Sequence, residues 1–137
     1  MLDAPIDHIA IVVADLDASV AFYTQTLGFT EIFREIVADQ GVETVGLRAG
    51  ESAIELLRPL DPESSVARFR GDAASKIHHT AYRVADVAAE LARLRAQGVR
   101  LIDEVPRLGA HGNLIAFIHP KASGGVLIEL CQPPAHA

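Results

Sequence analysis

The stretch "HIAIVVAD" at residues 8–15 returns as "HHTAYRVAD" at 78–86. With His8 laid on His79, Ala10 meets Ala81, Val13 meets Val84, Ala14 meets Ala85 and Asp15 meets Asp86. The far ends agree too: "AIELL" at 53–57 echoes "LIELC" at 127–131, with Glu55 against Glu129 after a small drift that loop length absorbs. A chain that repeats itself in order at both ends of a stretch is constrained to fold as two similar units before any single motif is weighed.

Each copy reads alike. Residues 6–13, "IDHIAIVV", are β-branched and apolar enough for a buried strand. Asp15 or Asp17 then offers an N-cap for the helix "DASVAFYTQTLG", which Gly28 ends. "FTEIFREIV", "VETVGLR" and "AIELLR" follow as strands, broken at Asp39-Gln40-Gly41 and at a hairpin turn from Ala49 to Ser52. Asp61 as cap and Pro62 at the first helical position predict a short linker helix, followed by a polar loop from Gly71 to Lys76. In the second copy "KIHHTAYRV" reads as a strand and Asp86 caps a helix through Gln97. "VRLID", "NLIAFIH" and "VLIELC" are three further strands, and the tail "QPPAHA" is expected to fray. The fold class is therefore α+β: a single domain over 1–137 with one βαβββ module at about 6–58, a linker at 59–76 and a second module at about 77–131.

Composition narrows what such a domain does. Its 137 residues, half of them apolar, suffice for one core. The lone Cys131 cannot form an internal disulfide and suits a reducing, cytoplasmic setting. "MLDAPIDH" has acids where a signal peptide needs bases, and no apolar run nears the roughly 20 residues of a membrane span. A net charge of -6 without a Lys/Arg block argues against nucleic acid as a partner. An anionic small ligand then requires a metal or a local basic patch.

Strand alternation puts His8, Ala10 and Val12 on one face and His79, Ala81 and Arg83 on the equivalent one. Glu55 lies opposite Ile54 and Leu56, and Glu129 opposite Ile128 and Leu130. Taken singly, each is an ordinary strand residue. A carboxylate inside an apolar strand is costly to bury alone, however, and here it recurs at matching positions. Two imidazoles and two carboxylates sum to two negative charges, which a divalent ion neutralises. Such a set suits Co²⁺, Ni²⁺, Mn²⁺ or a less regular Zn²⁺, with two positions left open for substrate oxygens. His78 points away from His79 and falls outside the set.

These residues, with "DHIAIVVADLDASVAFYTQTLGF", "IELLRPLDPESSVARF", "GVRLIDEVPRLGAHG" and "FIHPKASGGVLIEL", give the chain a resemblance to the vicinal oxygen chelate superfamily. Within it, the chain resembles the methylmalonyl-CoA epimerase family. The resemblance covers nearly the whole length and implies a cupped mixed sheet around a metal, the glyoxalase-like fold. It implies His8, Glu55, His79 and Glu129 as metal ligands, cobalt as the favoured ion and a homodimer. The implied activity is inversion at C2 of a CoA thioester, methylmalonyl-CoA, through a chelated enolate, with Glu129 as one acid-base group.

Some bacterial members carry a second glutamate two residues after the valine of a Gln-Gly-Val segment; this chain has Thr44 there and Glu43 one residue early. Glu43 is the candidate for the second group, although alternation sets it with Val45 and Leu47 on the helix-packing face. Lys121, in "HPKASGG", and His111, in "GAHGN", are candidate contacts for CoA or the substrate carboxylate by loop position. A lactoylglutathione lyase would use the same four ligands and stays open. An extradiol dioxygenase, with two histidines and one glutamate on iron, leaves Glu55 unexplained. A metal-free antibiotic-binding protein would lean on aromatic residues, and this chain has no Trp and two Tyr.

Overall fold

The two repeated aspartates each start a helix. Asp15 accepts from Ala18 N at 3.0 Å ahead of α1 (Leu16–Ala21), and Asp86 accepts from Ala89 N at 3.0 Å. A side-chain oxygen there satisfies one of the first-turn N–H groups that no helical carbonyl can reach. The structure is a computed structural model and describes Leu2 and residues 4–135. The chain divides into two compact units: His8–His78, and a second made of the residues before His8 with those from His79 on.

In the first unit α1 follows β1 (Ile6–Val13) and runs into a π-helical turn over Phe22–Thr26, which Gly28 leaves in the left-handed conformation. Strands β2 (Thr30–Val37), β3 (Val42–Ala49) and β4 (Ser52–Pro59) complete a sheet in the order β2-β3-β4-β1. All neighbours are antiparallel except β4 and β1, which are parallel. Val13 and Leu16 pack with Val45, Leu47 and Leu56 into a core on the α1 side. A register shift between Glu31 and Phe33 marks a bulge in β2.

The linker helix α2 (Ser65–Arg70) departs from expectation. Asp61 caps only a turn, accepting from Glu63 N, and Ser64 is the true N-cap, accepting from Ala67 N at 3.2 Å. Pro62 thus precedes the helix, because two oxygen-bearing residues compete for its start and Ser64 has the extended backbone that a cap requires.

The second unit repeats the plan. β5 (Ser75–Arg83) leads to α3 (Val87–Ala96), and the sheet order is β5-β8-β7-β6, with β5 parallel to β8. Val84, Val87, Leu91, Ala116 and Leu130 form the core beneath α3. The last strands are β6 (Arg107–Leu108), β7 (Leu114–Ile118) and β8 (Ile128–Gln132).

"VRLID" is not the strand expected. It contributes one bridge, Leu101 to Ile118, because Asp103 places its carboxylate on Phe117 N at 2.8 Å where a strand would offer a carbonyl. The short edge strand is Arg107–Leu108 instead. A one-turn helix, α4 (Pro120–Ser123), was not anticipated; His119 Nδ1 caps it and Gly124 closes it. Gln132 belongs to β8 rather than to a frayed tail, and its Oε1 accepts from Val87 N at 2.9 Å; the last two residues of "QPPAHA" lie outside the described residues. Among the described residues no helix is long and apolar enough to cross a membrane.

Gly46, in mid-strand, lies so close to the Phe33 ring that an added Cβ would overlap it. Gly46→Val should therefore cost about 1–3 kcal/mol by overpacking. Thermal unfolding followed by circular dichroism would show this as a lowered melting temperature.

Candidate metal and acid-base site

Parallel pairing fixes the geometry in each unit by the same register. Ala10 sits beside Glu55 in the first unit, and Ala81 sits beside Glu129 in the second. In both, the alanine follows the repeated histidine by two residues, so histidine and glutamate emerge on one face. His8 Nδ1 lies 3.3 Å from Glu55 Oε2, and His79 Nε2 lies 3.6 Å from Glu129 Oε1. All four are buried, at 2% exposure for His8, 8% for Glu55, 3% for His79 and 3% for Glu129.

Small residues make the space. Ala10 and Ala81 carry only methyl groups beside the carboxylates, and Gly46 pairs with Glu55 from the other flank. In the second unit Phe117 pairs with Glu129, and its ring meets His79 edge-on at 5.2 Å between centroids. The Arg107 guanidinium lies over the same ring at 5.5 Å, with Nε 3.2 Å from Asp103 Oδ1. That places a positive charge on the Glu129 face, a feature sequence reading missed because β6 itself was missed.

The remaining candidates fall elsewhere. Glu43 pairs across the ladder with Arg58, whose Nη2 and Nε reach Glu43 Oε1 at 2.9 and 3.1 Å, and Arg34 approaches its Oε2 at 3.9 Å. These residues, with Asp15 and Asp17, line a polar cleft on the α1 side. Glu43 is thus turned away from the His8 and Glu55 face, which corrects the expectation that it exchanges protons there. The cause is the alternation that put it with Val45 and Leu47, with no bulge in β3 to reverse it.

Lys121, on α4, and His111 are both exposed and follow and precede β7 respectively. His111 also adopts a left-handed backbone with φ 58°, uncommon outside glycine. His78 packs its ring edge-on against Phe69 at 5.1 Å, and burial pushes its pKa down to about 4.

With this geometry in view, residues 7–117 match the glyoxalase/bleomycin resistance protein/dioxygenase superfamily, and the chain belongs to it. Its named relatives are more specific. The ethylmalonyl-CoA/methylmalonyl-CoA epimerase of Cereibacter sphaeroides is 39% identical over 93% of this chain and 96% of its own length. The mitochondrial methylmalonyl-CoA epimerase of Homo sapiens is 36% identical over 93% of this chain and 73% of its own. Among solved structures, methylmalonyl-CoA epimerase from Mycobacterium tuberculosis superposes with a TM-score of 0.90 at 40% identity, covering 98% of this chain and 93% of that one. An epimerase in complex with methylmalonyl-CoA and NH4+ gives 0.90 at 39% identity, covering 96% of each chain. The glyoxalase-like fold is thereby shown.

Removing the Glu43 charge tests its displacement from the chemistry. Glu43→Gln should lose ion pairs worth under about 1 kcal/mol, since they are partly exposed, and should leave turnover unchanged. Steady-state kinetics beside a thermal melt would separate the two effects.

Proposed function

We propose that the protein is a methylmalonyl-CoA epimerase using one divalent ion ligated by His8, Glu55, His79 and Glu129. The observation that carries this reading is the buried imidazole and carboxylate pair, placed by the same strand register in each unit. The donor set fits a metal. Ligand bonds of about 2.1 Å would set neighbouring donor atoms about 3.0 to 3.4 Å apart, and the two pairs stand at 3.3 and 3.6 Å. Two carboxylates balance a divalent charge, the mixed nitrogen and oxygen set suits Co²⁺, Ni²⁺, Mn²⁺ or Zn²⁺, and the family resemblance favours Co²⁺ among them.

When bound, such an ion supplies Lewis-acid stabilisation of the negative charge that develops on the thioester oxygen. The chain's own residues handle the proton. Glu129 takes it from C2 or returns it, and its burial keeps bulk water from competing. Phe117 and the short neighbour Ala81 fix where that carboxylate stands.

The substrate assignment draws on the relatives. One similar epimerase is complexed with methylmalonyl-CoA and another, from Streptomyces coelicolor, with 2-nitronate-propionyl-CoA. A nitronate has the planar carbon and anionic oxygens that proton loss at C2 would create. A homodimer in the cytoplasm completes the proposal, the first by the family resemblance and the second by the single cysteine.

Proton NMR of methylmalonyl-CoA in D₂O tests the reading. With the protein and cobalt the C2 proton signal should vanish quickly; a chelator should stop the loss and added Co²⁺ restore it. Glu129→Gln keeps an oxygen donor but loses the base, and should slow exchange by about 10² or more. Metal-loaded protein that exchanges nothing above background would end the epimerase reading, and isomerisation of a glutathione hemithioacetal in its place would establish the lyase.

A further inference from the structure

Two carboxylates and a divalent ion sum to zero, so the proposed metal centre by itself holds no net charge that would attract an anion. The chain as a whole carries -6 and repels one. Yet the substrate of the epimerase reading presents a carboxylate directly on C2. Building on that reading, we infer that Arg107 is a specificity-determining residue: its two terminal nitrogens bind the free carboxylate of the acyl group and select a 2-carboxyacyl thioester.

Strand pairing places Arg107 on the face this requires. It sits opposite Ile115 in the ladder of β6 with β7, and Ile115 sits opposite Cys131 in the ladder of β7 with β8. Two residues along β7, Phe117 sits opposite Glu129. Partners across a ladder share a face, as do residues two apart, so Arg107, Ile115, Phe117 and Glu129 emerge together. The other face carries Ala116, Ile118 and Leu130 against α3. All of these residues belong to the second unit.

The guanidinium is held on that face before any ligand arrives. Asp103 is fastened through Oδ2 to Phe117 N at 2.8 Å, and its Oδ1 meets Arg107 Nε at 3.2 Å. The guanidinium carbon stands 5.5 Å from the centre of the Phe117 ring, which in turn meets the His79 ring at 5.2 Å. An arginine seated on an aromatic ring and gripped through Nε loses little further freedom when a ligand binds. Asp103 therefore occupies one edge of the group and acts as a positioning residue. Among the described residues Nη1 and Nη2 make no hydrogen bond or ion pair, and at 30% exposure the side chain is open to a ligand.

Two parallel N–H donors match the two oxygens of a carboxylate, a fit that lysine, with charge but no fork, does not reproduce. Scale separates this anion from the phosphates of CoA. The carboxylate is one bond from the carbon that Glu129 addresses, whereas the phosphates lie beyond the whole pantetheine arm. Arg107 rests on the ring of the residue paired with Glu129, within the compass of a small acyl group.

Titration calorimetry tests the inference. Cobalt-loaded wild type, Arg107→Met and Arg107→Lys are each titrated with racemic methylmalonyl-CoA, in which inversion releases no net heat. Each is also titrated with propionyl-CoA, which keeps every phosphate and lacks the carboxylate. Arg107→Met should weaken methylmalonyl-CoA by about 10- to 10²-fold and leave propionyl-CoA within about twofold of wild type. Arg107→Lys should recover part of the loss. In the D₂O assay the same variants should raise KM and largely keep kcat, because the carboxylate is charged both before and after the C2 proton leaves. Two results would overturn the assignment: methylmalonyl-CoA binding unchanged in both variants, or both thioesters weakened alike, which would give the arginine to the phosphates or to packing. A wild type that binds methylmalonyl-CoA but never inverts it would instead remove the epimerase reading itself.

Discussion

Parallel contact between the first and last strand of each unit is the constraint on which the rest depends. An antiparallel meander of β2, β3 and β4 would stand without β1, but no histidine would then lie beside Glu55. The crossover through α1 returns the chain so that Ala10 meets Glu55, and the crossover through α3 does the same for Ala81 and Glu129. A carboxylate buried alone costs several kcal/mol, and an imidazole beside it supplies a polar neighbour where the strand would otherwise offer methyl groups. The same pairing that closes each sheet therefore makes its buried charge tolerable.

The two units reach a similar end by different strands. Beside Glu129 the aromatic ring comes from the paired residue, Phe117, with Arg107 laid over it. Beside Glu55 the paired residue is Gly46, and the ring comes from one strand further out, as Phe33. Duplicated modules can diverge in this way because the register of the buried pair is set by the first and last strands, leaving the middle strands free to redistribute bulk.

Much of this was legible from residue order. The repeat located His8, Glu55, His79 and Glu129, and alternation assigned their faces, since two-residue periodicity holds wherever a strand is regular. Both aspartate caps were visible for the same reason: a short acceptor ahead of an apolar helix has few other uses. Legibility failed where side chains stood in for backbone or where the period broke. Asp103 replaces a ladder carbonyl, which turned an expected strand into a single bridge. Ser64 outcompetes Asp61 as a cap two residues past the proline. The bulge at Ile32 carries no glycine or proline to announce it, so "TEIFREIV" reads as an unbroken strand.

That bulge makes β2 unusually intolerant of length change. Edge strands normally accept insertions and deletions, because slippage there disturbs little. Excising one residue between Glu31 and Phe33 would act like a frameshift in three dimensions: the hydropathy of the segment would hardly alter, yet every later side chain would exchange solvent for core and core for solvent. In this chain the spacing of an outlying strand is thus as much a part of the inherited information as the identity of any ligand.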